Sequence, residues 1–131
     1  MRKLVLIIGF GLLSLIGLSQ DCKELKSGSF RVDNENFTTH IERKDGFQIE
    51  KTPSIGLIVK TKIVWISECS YSLKVVKILE NKNNMEFPTD FMESVIIFKV
   101  IEQTSKFYVG EASITINGEK HIMKIKYILV K

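Results

Sequence analysis

Of 131 residues only two are cysteine, two histidine, two proline and one tryptophan, and the scarcities remove whole classes of chemistry. The histidines, His40 and His121, have no cysteine, histidine or carboxylate at ligand spacing on their own strands, so a zinc site would need ligands drawn from elsewhere. Cys22 and Cys69 are too far apart for C-x-x-C redox catalysis. No G-x-S-x-G elbow is present to raise a nucleophilic serine, and no Gly-rich loop to cradle phosphate. The Asp45-Gly46 hairpin could set Glu42 and Glu50 opposite each other, but the pair reads better as an exposed charged edge that resists strand-to-strand aggregation. The expectation is a protein that is not an enzyme and holds neither cofactor nor metal. Internal repeats and Ser/Gly linkers are also missing, which leaves one domain.

What is present begins with an address. Met1-Arg2-Lys3 is a basic head, Leu4 to Leu18 is uncharged and mostly apolar, and Gly17 and Ser19 offer small residues before Gln20. This is the pattern of a secretory signal peptide over residues 1–19, too short to span a bilayer comfortably. The mature domain is then 20–131, with no transmembrane segment, exported to the periplasm or the medium. Asp21 stands where a lipoprotein signal needs a small residue before Cys22, so lipid anchoring is not expected. Removing Arg2 and Lys3 lowers the net charge from +4 to +2. That balance, without a concentrated basic stripe, argues against nucleic acid as a partner. In an oxidising compartment the two cysteines predict a Cys22–Cys69 disulfide. Closing so long a loop contributes about 4 kcal/mol on the chain-entropy account.

From Gly28 onward apolar and polar residues alternate with the period of a strand. Strands are expected over Gly28–Val32, Thr38–Lys44, Phe47–Lys51, Ile55–Ser67, Cys69–Leu79, Val95–Gln103, Phe107–Ile116 and Lys120–Val130. Asp45-Gly46 and Asn117-Gly118 carry the signature of type I′ hairpin turns. Thr52-Pro53-Ser54 interrupts the ladder, Asn81–Asn84 is a polar loop, and Phe87–Glu93 reads equally as a loop or one helical turn started at Pro88. Short connections force antiparallel neighbours. The predicted fold class is all-β: an antiparallel up-and-down meander of about eight strands, closed as a lipocalin-like barrel or flattened into a sandwich.

Cys22, Lys26, Gly28 and Phe30, then Ile41-Glu42-Arg43, Gln48 and Glu50, then Lys60, Ile63, Trp65, Glu68, Cys69, Tyr71 and Leu73 form an ordered set. Over residues 22–73 the chain resembles a family of small exported proteins of flavobacteria-type bacteria. Many of its members carry the label "DNA topoisomerase IV". The family has no established activity, so the resemblance implies no functional residues. The label does not suit this chain, which lacks an ATP loop, an acidic Mg²⁺ cluster and access to DNA.

Alternation places Trp65, Tyr71, Phe98, Tyr108 and Tyr127 inward, where they are candidates to line an apolar ligand cavity or to fill a core. Lys60, Lys62, Lys74, Lys120, Lys124 and Lys126 point away from the apolar faces and predict a lysine-studded outer wall. The leading expectation is a monomeric, exported, non-enzymatic binding protein for a small apolar ligand or cell-envelope component. The alternative is a structural or inhibitor-like interaction module with a filled barrel, acting through loops such as Asn81–Pro88.

Overall fold

In a computed structural model that describes residues 21–130, eight antiparallel strands close into one barrel in chain order. The proposed signal peptide, 1–19, lies outside the described residues. The strands are β1 Gly28–Asp33, β2 Thr38–Lys44, β3 Phe47–Thr52, β4 Leu57–Ser67, β5 Ser70–Asn81, β6 Val95–Gln103, β7 Phe107–Ile116 and β8 Glu119–Val130. Closure is made by β1 against β8, with Ser29 opposite Val130 and Arg31 opposite Ile128. The fold is therefore the barrel and not the sandwich.

Both predicted hairpin turns form. Asp45 and Gly46 have φ of 55° and 81°, Asn117 and Gly118 of 52° and 81°, the doubly positive pair that a type I′ turn requires. The ambiguous segment before β6 contains a short helix, Thr89–Glu93, that follows Pro88. A 3-10 turn, Cys22–Leu25, precedes β1, with the Asp21 carboxylate accepting from the Lys23 amide at 2.9 Å.

The barrel settles or corrects four points that strand alternation left open or misplaced. On β3 the buried side chains are Gln48 and Thr52, while Phe47 and Ile49 point outward. Alternation separates the two faces of a strand but does not say which is inside. Here the polar set is drawn in by Arg43, its cross-strand partner on β2, and Phe47 is covered by the Lys60 ammonium 4.4 Å from its ring centre. Glu42 and Glu50 consequently do not oppose each other: Glu42 pairs with Ile49 and is exposed, and Glu50 pairs with Ile41 on the inner face. With the barrel closed, β2 and β3 are also not an edge.

The lysines do not form one wall. Lys62 faces Lys74 across β4 and β5, whereas Lys120, Lys124 and Lys126 lie on β8, on the far side of the barrel. The fourth point concerns β8 itself. Its inward series holds from Ile125 onward, but His121 and Met123 are exposed, because β1 pairs with β8 only from Ile128 to Val130. Among the described residues Glu119–Tyr127 of β8 is thus paired with β7 alone, and its tip, Glu119–His121 opposite Ile114–Ile116, projects beyond β6 as a two-stranded ribbon.

Candidate functional site

The interior has two unlike halves. The first is solid and is closed from below by the Cys22–Leu25 turn. Leu25 and Cys22 are buried, and the turn is fixed to the barrel by the Cys22–Cys69 disulfide, whose sulfurs are 2.00 Å apart. The predicted staple is therefore present. It holds the turn against the start of β5, and Gln103 at the end of β6 makes further contact, its amide donating to the Asp21 carbonyl at 3.4 Å.

Arg43 stands at the centre of this half. It is 2% exposed, a cost of several kcal/mol for an unpaired ion. Its surroundings offset that cost. Nε donates to Gln48 Oε1 at 2.7 Å, Nη1 to the Leu25 carbonyl at 2.9 Å, and Nη2 to the Tyr71 hydroxyl at 3.1 Å and to the Tyr108 hydroxyl. The guanidinium carbon also lies 4.5 Å from the ring centre of Phe30, 4.9 Å from Tyr71, 5.4 Å from Tyr127 and 5.5 Å from Tyr108. Four aromatic rings thus pack around one cation. Burial works to lower the Arg43 pKa, but Tyr71, Tyr108 and Tyr127 outweigh it and the net direction is upward, so Arg43 stays charged. Burial, then Tyr71, pushes the Tyr108 hydroxyl well up, and burial, then Tyr71 and Tyr108, does the same for Tyr127. Both remain neutral phenols.

All five aromatics singled out from the sequence meet here. Trp65 packs on Tyr71 (4.8 Å between centres), Tyr71 stacks on Phe98 (5.0 Å), Phe98 meets Tyr127 edge-on (6.2 Å), and Tyr127 stacks on Tyr108 (4.6 Å). Gly110 lets them close up: a Cβ there would sit 3.3 Å from the Phe98 ring. The five are a continuous filling around Arg43. None of them lines the cavity described next.

The second half is open. Strands β5 and β6 pair only over Ser70–Lys74 and Val95–Lys99, and beyond Lys74 they part. The gap is spanned by the Thr89–Glu93 helix, which packs against β5. Beneath the helix is a cup of about 180 Å³. Its walls include Leu57, Val59, Leu73, Val75, Ile96 and Ile114, and Phe91 of the helix overhangs it. Phe91 is held by stacking on Phe87, 4.9 Å away.

Glu50 is the one ionisable side chain on the cup's lining. Gln48 links it to Arg43. Because Arg43 can only donate, Gln48 must present its oxygen to Arg43 and its amide nitrogen to Glu50, where Nε2 meets Oε2 at 2.9 Å. A single hydrogen-bonded line therefore runs from the cup through Gln48 and Arg43 to Tyr108 and Tyr71, whose hydroxyls are 2.9 Å apart. Burial raises the Glu50 pKa, against the opposing pull of the Gln48 hydrogen bond and the Arg43 charge.

Sequence reasoning missed Arg43, Gln48 and Glu50 as a unit. The signal that pointed toward them was their presence in the ordered residue set from Cys22 to Leu73, since composition and alternation alone mark them as surface residues. The chain matches no protein-family model, no curated protein and no solved structure. What the site can do must therefore be argued from its own geometry.

Proposed function

We propose that this is an exported, non-enzymatic binding protein whose ligand is a small apolar molecule seated in the cup under the Thr89–Glu93 helix. The observation that carries this reading is the division of the interior. One half is packed solid around Arg43, while the other keeps an apolar hollow of about 180 Å³ with one carboxyl in its lining. Hydrophobic walls with few polar groups are the usual form of a small-molecule site. The volume is below the ~300 Å³ lower bound for drug-sized ligands and near the ~150 Å³ that holds a benzene ring. The ligand is accordingly a single ring, a short acyl chain or an apolar side chain of a larger molecule. Export is supported by the Met1–Ser19 pattern and is compatible with the disulfide.

The test is to fill the cup. Val75→Phe places a ring in the hollow, on a strand already held by β4. The variant should keep the barrel's circular-dichroism spectrum and lose the rise in Tm that small aromatic and short-chain compounds give the wild type. If the wild type shows no rise with any such compound up to its solubility limit, the cup is not a binding site.

A second reading, a protein-interaction module, is favoured by one observation. Between Glu119 and Tyr127 strand β8 has no partner on its β1 side among the described residues, and Ile122 and Met123 are more than half exposed there. An unpaired strand edge is a template for another extended segment.

A further inference from the structure

The polar groups of the cup restrict its ligand further, an inference that rests on the cup being the binding site. Three of its lining side chains carry polar atoms: Glu50, Thr61 and Ser94. The Thr61 hydroxyl donates to the Gln48 carbonyl at 3.2 Å, and the Ser94 hydroxyl donates to the Asp90 carbonyl. Both hydroxyl hydrogens are therefore committed within the protein. Glu50 as a carboxylate is acceptor-only, and the Gln48 amide occupies one of its roughly four lone-pair positions. The cup thus offers a ligand lone pairs and no hydrogens. Its charge is also settled, because Arg43 lies just behind Gln48 and balances Glu50. An ammonium ligand would bring a second cation into apolar walls, and a carboxylate ligand would face Glu50 directly, so both pay desolvation without a matching partner.

We propose that the cup selects a neutral apolar molecule of about one ring that ends in a hydrogen-bond donor, a phenol-like O–H or an indole-like N–H, with the Glu50 carboxylate as the acceptor. A dry apolar cavity of this size prefers a hydrocarbon to its hydroxylated isostere, since the hydroxyl must be stripped of water. A cup with an acceptor in its wall reverses that order.

The comparison is made on the full disulfide-bonded protein at pH 8, with p-cresol, its isostere p-xylene, benzylamine and benzoate as probes. Binding is read both as a dissociation constant and as NMR shifts of the Leu57, Val59, Ile96 and Ile114 methyls. We expect p-cresol to bind at least about tenfold tighter than p-xylene, as for a site built to hydrogen-bond its ligand, and tighter than either charged probe. In Glu50→Gln, similar in size, the amide oxygen turns to the Gln48 donor and its NH₂ faces the cup, and the p-cresol advantage should fall below about threefold. Equal binding of p-cresol and p-xylene, or a stronger benzylamine complex, with those methyls still shifting, overturns the donor selectivity and leaves the cup standing. A p-cresol preference that survives in Glu50→Gln removes Glu50 from the role. No shift at those methyls with any probe overturns the cup itself.

Discussion

The two halves of the barrel interior are made from the same strands and reach opposite outcomes. Around Arg43, strands β1, β2, β5, β6, β7 and β8 each supply a buried side chain, and among the described residues no fully buried side-chain nitrogen or oxygen lacks a hydrogen-bond partner. Toward the Thr89–Glu93 helix, β5 and β6 separate, and the described side chains leave a hollow beneath the helix that spans the gap. The difference comes from where large side chains stand along the strands. Tyr71, Phe98, Tyr108 and Tyr127 gather near the Cys22–Leu25 turn, while the corresponding inward positions farther along are Val59, Val75, Ile96 and Ile114. Rings crowd the first half, and branched aliphatics too short to meet across the barrel leave the second half hollow. The packed half lies behind Gln48, so it holds Glu50 in place from that side.

This contrast can be broken from the solid side with the greatest effect. Arg43→Met keeps apolar bulk but strands Gln48 Oε1 and the Leu25 carbonyl without their donor and leaves the Tyr71 and Tyr108 hydroxyls only each other. Urea unfolding should show a loss of about 3–5 kcal/mol, the range for removing one partner from a buried ionic network. Phe91→Ala over the cup should cost under ~1 kcal/mol by the same measurement, because Phe91 is itself partly exposed. Comparable losses at the two positions would mean that the halves are not energetically distinct.

Removing the staple with Cys22→Ala and Cys69→Ala together should cost about 2–4 kcal/mol. Amide exchange should quicken first in Cys22–Leu25 and the start of β5, the elements the bond holds together. Uniform acceleration around the barrel would show that the turn is not a separable plug.

The smallest effect sharpens the cup. The folded protein holds the Glu50 proton more tightly than the unfolded chain. As pH rises from the ordinary glutamate value of about 4.5 through the raised folded value, the unfolded state releases its proton first, and stability falls. Wild-type stability should therefore decline across that window relative to Glu50→Gln, whose amide does not titrate. Parallel stability curves for the two proteins would place Glu50 in a solvated setting.

Much of the barrel was legible because strand alternation and turn chemistry are local. Asp45-Gly46 and Asn117-Gly118 announce their own geometry, and Val95–Gln103 and Phe107–Ile116 are strands with the ends the pattern implies. The polarity of β3 was not legible. Phe47-Gln48-Ile49-Glu50 alternates cleanly, but the side that turns inward is decided by a residue on another strand, Arg43, which needs an oxygen opposite it. The five aromatics were placed inward correctly, yet whether they enclose space or fill it depends on cross-barrel distances that no single strand encodes. The cup was invisible for the same reason, since it exists only where two strands part.

The closure between β1 and β8 has a consequence in time. Ser29 meets Val130, so the pairing that seals the sheet joins the two ends of the described chain. The Cys22–Cys69 bond and the β1–β5 meander join segments much nearer in sequence. The plug can be tethered while the later strands are still arriving, but Tyr108 and Tyr127 reach Arg43 only when β7 and β8 are in place. Until then a buried-type arginine and two open sheet edges face water, and such long-range pairing is slow. A folding chain is therefore open to proteases and to other chains until the last strand is in place and the ring shuts.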